Sequence, residues 1–216
     1  LGELAGRLAK AGLTRVNVSL PSTRPERYKG VTGVNAHSAV VKGIRAAKAS
    51  GLDPVKVNFV VLKGVNSDEV EDAIEFAGRE GVILQLIELE PLGLAVEEYA
   101  KLHEPLDELE AQLADRAEEV VVRYSMHARR QYRIGDVWVE VVKPMHNPEF
   151  CAHCTRMRVT ADGKLKPCLM RNDNLVDLTP ALASGSDEEL VRAFEEAVAR
   201  REPFFGRAAP GCPLSR

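Results

Sequence analysis

Cys151, Cys154 and Cys168 stand in a C-x2-C-x13-C spacing, and Arg156 and Arg158 follow directly on the second thiol. Thiolates are ligands for zinc and iron, and an x2 pair reaches one metal centre from a single turn of chain. Two guanidiniums two residues apart on an extended segment point to one side, and each offers an anion a planar, permanently charged fork. That three cysteines are grouped rather than four matters most. A closed structural site takes four protein ligands, so this one lacks a ligand or keeps a position open for another molecule. One completion is a zinc knuckle whose fourth ligand is His146, His153 or Cys212. His153 lies within the C-x2-C loop, where its ring is expected to point outward, and Cys212 lies in the tail Ala-Ala-Pro210-Gly211-Cys212-Pro213. A disulfide framework fits less well. There are four cysteines in 216 residues, three of them clustered, and no secretory signal. The expected setting is a reducing, cytoplasmic one.

The elements that must position these residues fall into two groups. Composition is that of an ordinary soluble protein, 45% hydrophobic and 28% charged. No apolar run approaches the roughly 20 residues that span a bilayer. A formal charge of −3 argues against a general nucleic-acid coat, so phosphate binding has to come from a local arginine group. Neither membrane nor nucleic acid is therefore expected as a partner.

Strand and helix alternate through the first ninety residues. Leu1, Leu4, Leu8 and Ala11 repeat at helical spacing up to Gly12. A chain that begins with Leu1 in mid-helix is expected to be incomplete at its N-terminus. Residues 15–20 read as a strand, 35–50 as a helix closed by Gly51, and 55–61 as a second strand. Asn66 and Glu69 suggest a capping box for a helix carrying Val70, Ile74 and Ala77, and Gly81 leads into a third strand over 82–88. Repeated strand–helix–strand units joined by short loops predict an α/β fold with a parallel sheet and right-handed crossovers. Asn17, Ser19, Lys56, Asn58 and Gln85 share the strand face opposite the apolar one, where parallel sheets bind ligands.

After Pro91-Leu-Gly93 the pattern changes. Pro105 opens a helix through Leu106, Leu109 and Leu113, and residues 120–124, 131–134 and 137–142 read as antiparallel strands with a Gly135-Asp136 turn. A hairpin around Ala161-Asp162-Gly163 returns Cys168 towards Cys151 and Cys154. A last helix, capped by Ser186 and Glu189, runs through Leu190, Phe194 and Val198. The expected division is a partial barrel over 1–93, a smaller α+β module over 94–205 and a flexible tail over 206–216.

The segments 15–20, 57–66 and 86–89, and above all Phe150-Cys-Ala-His-Cys154-Thr-Arg156-Met-Arg158 continuing to Cys168-Leu, resemble the MoaA family of GTP 3′,8-cyclases, radical S-adenosylmethionine enzymes of molybdenum cofactor biosynthesis. The resemblance covers about residues 1–205. It implies the C-terminal part of a TIM-like (βα) barrel followed by a small iron–sulfur module. By that resemblance Cys151, Cys154 and Cys168 bind one 4Fe–4S cluster whose open iron meets GTP. Arg156, the backbone at Met157, Arg158 and Lys63 bind GTP, and Ser19 and Glu90 contact S-adenosylmethionine. Gln85 and Glu90 stand where the family usually has Arg and Met. The complete enzyme carries a second 4Fe–4S cluster on a C-x3-C-x2-C motif that this sequence does not contain, so residues 1–216 alone are expected to be inactive. The family tail ends in two glycines, whereas this chain ends Gly211-Cys-Pro-Leu-Ser-Arg216. Family members often form homodimers. Two readings stay beside this one: another radical enzyme with an auxiliary cluster, and a non-catalytic zinc- or nucleotide-binding domain.

Overall fold

The computed structural model describes residues 1–205, which form two compact units. The larger holds residues 1–123 and 129–143, and the smaller holds 124–128 and the chain from 144 onward.

The larger unit is one six-stranded sheet with helices. Its strands are β1 (Val16–Ser19), β2 (Val55–Val61), β3 (Ile83–Glu88), β4 (Glu119–Arg123), β5 (Arg129–Ile134) and β6 (Val137–Val142), in the order β1-β2-β3-β6-β5-β4. β1, β2, β3 and β6 run parallel, and β5 and β4 close the sheet antiparallel. The helices are α1 (Ala5–Lys10), α2 (Pro25–Thr32), α3 (His37–Ala49), α4 (Val70–Glu80), α5 (Val96–Leu102) and α6 (Asp107–Arg116). Period-two alternation sends Val57 and Phe59 of β2, Leu84 and Leu86 of β3, and Val139 and Val141 of β6 to one face. There they join Ile44 and Ala47 of α3, Ala73, Ile74 and Ala77 of α4, and Leu113 of α6 in one buried core. Burying each large aliphatic side chain contributes roughly 1.5–3 kcal/mol. Gly78 marks how closely α4 approaches β6, because a Cβ there would lie 2.8 Å from Cγ2 of Val137.

The opposite face carries polar residues in register. Ser19 pairs with Asn58, Asn58 with Gln85, Gln85 with Glu140 and Glu140 with Gln131, so one row of polar side chains crosses five strands.

Several elements differ from the sequence expectation. Leu1, Leu4 and Leu8 are exposed, and α1 is shorter than their spacing suggests. α2 was not expected, since Pro-Glu-Arg-Tyr-Lys-Gly shows no apolar stripe and only Tyr28 is buried. Its signals are Pro25 in the first turn and Gly33 at φ +75° after the last. α5 was also unexpected. Asn66 and Glu69 do not form a capping box: residues Ser67–Glu69 form a 3₁₀ turn, and neither side chain caps α4. The strands placed by sequence in the smaller module instead extend the parallel sheet through the β3–β6 pair, so the compact units divide near residue 143 and not at 93. Periodicity could not show this, because a strand's partner is set by tertiary packing.

The smaller unit contains α7 (Pro148–Ala152), the antiparallel strands β7 (Arg158–Val159), β8 (Lys164–Lys166) and β9 (Val176–Asp177), and helices α8 (Thr179–Ser184) and α9 (Asp187–Ala199). Its core is Leu165, Val176, Leu178, Ala193 and Ala197, with Met157 and Leu190 against it. Ser186 caps α9, its hydroxyl accepting from the Glu189 N–H at 3.3 Å, but the expected box does not close, because the Glu189 carboxylate takes the Ser184 hydroxyl and the Ser186 N–H goes to Ser184 Oγ. The buried stripe of α9 differs from the expected one, because Phe194 and Val198 are exposed while Ala193 and Ala197 face inward. The expected tail 206–216, with Cys212, lies outside the described residues.

Candidate functional site

The cysteine loop is built by a one-turn helix. Asn147 caps α7 by accepting from the Phe150 N–H at 3.0 Å, and Pro148 occupies the first turn. The Cys154 N–H then bonds the Cys151 carbonyl at 3.1 Å, which puts both thiols on one tight turn. His127 stacks on Phe150 with ring centroids 4.3 Å apart. The β7–β8 hairpin turns at Gly163, φ +78°, where Thr160 Oγ1 accepts from the Lys164 N–H, and it delivers Cys168 two residues beyond β8. Burial pushes the Cys151 thiol up, and Cys168 and Cys154 nearby add to this, while the backbone N–H groups of Phe205 and Phe204 pull it down. All three thiols are half-buried and free.

The histidines considered as fourth ligands have other neighbours. His153 bonds the Glu149 carbonyl through Nδ1 at 3.0 Å and tilts against Tyr124, and His146 packs against Phe205. Among the described residues no three His, Cys, Asp or Glu side chains are grouped so as to hold a single metal ion.

Met157 packs on the small core, leaving exposed Arg156 and half-buried Arg158 on either side of it. Nη2 of Arg156 lies 3.8 Å from Sδ of Met126, and neither arginine forms an ion pair among the described residues. Arg201, which the sequence did not single out, reaches back from the end of α9. Its Nη1 donates to the Cys154 carbonyl at 2.6 Å and to Cys154 Sγ at 3.3 Å, and its Nη2 donates to the Arg156 carbonyl. It lies past the last helical repeat, where no periodic signal could mark it.

In the larger unit Ser19 is exposed at the end of β1, and Lys63 is exposed just beyond β2 with its N–H on the Leu102 carbonyl at 2.8 Å. Glu90 is half-buried beyond β3; burial and then the carboxylates of Glu88 and Glu90 push the Tyr99 phenol up to about 12. The polar row is more elaborate than its sequence signature. Glu140 is fully buried and accepts on Oε2 from Lys56 at 2.5 Å, Arg123 at 2.8 Å and Gln131 at 2.7 Å. On Oε1 it meets Gln85 at 3.0 Å and Arg129 at 2.9 Å. Burial pushes its carboxyl up, but Arg129, Lys56 and Arg123 outweigh this and hold it below the usual range. Lys56 is pushed down, because its burial outweighs its single anionic partner. Oδ1 of Asn58, in the same row, is buried without a partner among the described residues. Glu140 went unmarked in the sequence, although a lone carboxylate inside Val137-Trp-Val-Glu-Val-Val142 is the available signal.

Two side chains tie the loops after β1 and β2 together. Asn66 accepts from the Leu62 N–H at 2.6 Å and donates to the carbonyls of Pro21 and Val60. Glu69, fully buried, takes the hydroxyls of Ser22 and Thr23, the Thr23 N–H at 2.9 Å and Arg27 at 2.7 Å. The loops beside Ser19 and Lys63 are thus fastened to each other by buried polar bonds.

Residues 1–77 match the Radical SAM superfamily, and residues 82–206 match Molybdenum Cofactor Synthesis C. The pairing defines the class: a radical SAM superfamily segment joined to a molybdenum cofactor synthesis region. Probable GTP 3′,8-cyclases from Methanothermobacter marburgensis and Thermococcus kodakarensis are 48% and 50% identical to it, each over 95% of this chain and 68% of their own length. One from Thermoplasma volcanium is 45% identical over 94% of this chain and 63% of its own. The chain belongs to the GTP 3′,8-cyclase family, and it spans about two thirds of the length of these relatives. No helix among the described residues is long and apolar enough to cross a membrane.

Proposed function

We propose that this chain anchors the substrate in GTP 3′,8-cyclisation, the conversion of GTP to 3′,8-cyclo-7,8-dihydro-GTP by S-adenosylmethionine radical chemistry in molybdenum cofactor biosynthesis. The observation that carries the reading is the tight turn that holds Cys151 and Cys154 together, with Arg156 and Arg158 directly after it, in the region matched by the molybdenum cofactor family. The donor set fits a 4Fe–4S cluster. It consists of thiols alone, and a guanidinium N–H already donates to the sulfur of Cys154. Cluster irons each take their own thiolate, so the three sulfurs need not converge on one point as they must around a single ion. When bound, such a cluster supplies one iron without a protein ligand, at which substrate can be held.

The chain's own residues do the rest. Arg156 and Arg158 neutralise phosphate charge, the Met157 backbone adds a hydrogen bond, and Lys63 contributes a mobile point charge. Ser19, and Glu90 beyond β3, contact S-adenosylmethionine. The free thiols suit the reducing cytoplasm. Anaerobic reconstitution with iron and sulfide is the test. About one four-iron cluster per chain is expected, since three thiolates and one exogenous ligand satisfy it, and Cys168→Ser should abolish loading. Stoichiometric zinc with no iron uptake in a folded sample would overturn the reading in favour of a zinc-binding domain.

A further inference from the structure

The strap that follows α9 sends polar atoms back onto the cysteine loop. Arg200 fixes where the strap begins: its Nη1 holds the Leu175 carbonyl at 2.8 Å and its Nη2 pairs with Glu196 one turn back. Arg201 then spans three acceptors with one guanidinium, the Cys154 carbonyl at 2.6 Å, Cys154 Sγ at 3.3 Å and the Arg156 carbonyl. The ring of Phe205 is held from both sides, by His146 at 4.9 Å and edge-on by Phe204. One guanidinium is therefore aimed at a cysteine sulfur and at two carbonyls of the loop that carries it.

We infer that Arg201 is a positioning residue that fixes the C-x2-C loop and raises the reduction potential of the cluster held there. The inference rests on the cluster reading above. Its physical basis is that a cluster gains negative charge when it takes up an electron, and part of that charge resides on the ligating sulfurs. Hydrogen bonds to those sulfurs stabilise the reduced form more than the oxidised one, and a charged donor does so more strongly than a neutral one. The planar fork matters as well, because Arg201 meets its acceptors from two separate nitrogens, a spread that the single ammonium nitrogen of a lysine lacks. The carbonyl contacts bracket Cys154 and Arg156, so the same side chain also sets the path of the segment proposed to meet GTP.

The test is a dithionite titration of the reconstituted full chain, in which dithionite gives one electron per cluster and electron paramagnetic resonance reads the reduced form. Arg201→Ala should keep its iron and shift the midpoint to lower potential by about tenfold in the reduction equilibrium, about 59 mV for one electron. Arg201→Lys should recover part of that shift, since it keeps the charge and loses the fork. Should Arg201→Ala fold but hold less iron, the loop-fixing role is supported, and Arg201→Gln, a neutral donor of similar reach, then reads the potential. Equal midpoints and equal iron in wild type, Arg201→Ala and Arg201→Gln overturn this inference while leaving the cluster reading intact. A wild-type chain that takes up no iron overturns both.

Discussion

Two groups of arginines stand in this chain, and they are held in opposite ways. Arg123 and Arg129 converge on Glu140, a carboxylate with no exposed surface, which also takes Lys56, Gln85 and Gln131. Arg156 and Arg158 flank a methionine that packs on a small core, and no described carboxylate pairs with either. The first group spends its charge on the fold; the second leaves its charge available to something outside it. The cores differ in the same sense. The larger unit buries apolar residues from four parallel strands and several helices, whereas the smaller rests on Leu165, Val176, Leu178, Ala193 and Ala197. A unit with so small a core is the kind whose stability a bound metal centre raises.

The comparison is most severely tested at Glu140. Glu140→Ala leaves buried Lys56 and Arg129 without their carboxylate, and breaking a buried pair from one side costs about 3–5 kcal/mol. Urea unfolding should show that loss, and a loss below about 1 kcal/mol would place Glu140 with ordinary surface ion pairs. Acid gives a second view. The Glu140 carboxyl is held below its ordinary value of 4.5, so its contribution is complete above that pH and is lost as pH falls through the depressed folded value. Glu140→Gln should therefore flatten the decline of stability on acidification, and an unchanged slope would assign that decline to other carboxylates.

The outward arginines should respond in the converse manner. Arg156→Ala or Arg158→Ala, made in a full-length family member, should weaken GTP binding by more than tenfold, since each charge-assisted contact is worth about 1.5–3 kcal/mol. The melting temperature should hardly move. A large drop in stability with unchanged GTP affinity would erase the distinction between the two groups. The smallest expected effect is at the start of α9, where Ser186→Ala removes a cap worth about 1 kcal/mol. Seen by thermal melting, it should be larger in the iron-free chain than after reconstitution, because the bound centre would then share in holding the unit.

What the sequence made legible follows from how local each signal is. The strands β2, β3 and β6 were visible as apolar alternation, the β7–β8 hairpin as Ala161-Asp162-Gly163, and the α9 cap as Ser186 with Glu189 three residues on. The cysteine pair on one tight turn was visible because the C-x2-C spacing is itself local. Lys56 and Gln85 were visible as polar residues on one strand face, but not as partners, because Glu140 lies 84 residues from Lys56 and 55 from Gln85. Asn66 and Glu69 had the spacing of a helix cap, and tertiary contacts to Pro21, Ser22 and Thr23 outcompeted it. Arg201 was invisible for a related reason. Its acceptors are two backbone carbonyls and a sulfur more than forty residues earlier.

The position of Glu140 within its strand also governs how the sheet can assemble. β6 is the seam where the parallel strands meet the antiparallel pair, and its neighbours Val139 and Val141 face the apolar core. A slip of one residue along β3 or β5 would turn Glu140 into that core, away from its cations, and would set two valines against Lys56 and the arginines. Every misaligned pairing by one place thus buries a lone carboxylate and exposes hydrocarbon at once. The side chain that looks most out of place in an apolar strand serves as the sheet's registration mark, rejecting the nearest wrong alignments before the rest of the unit closes around them.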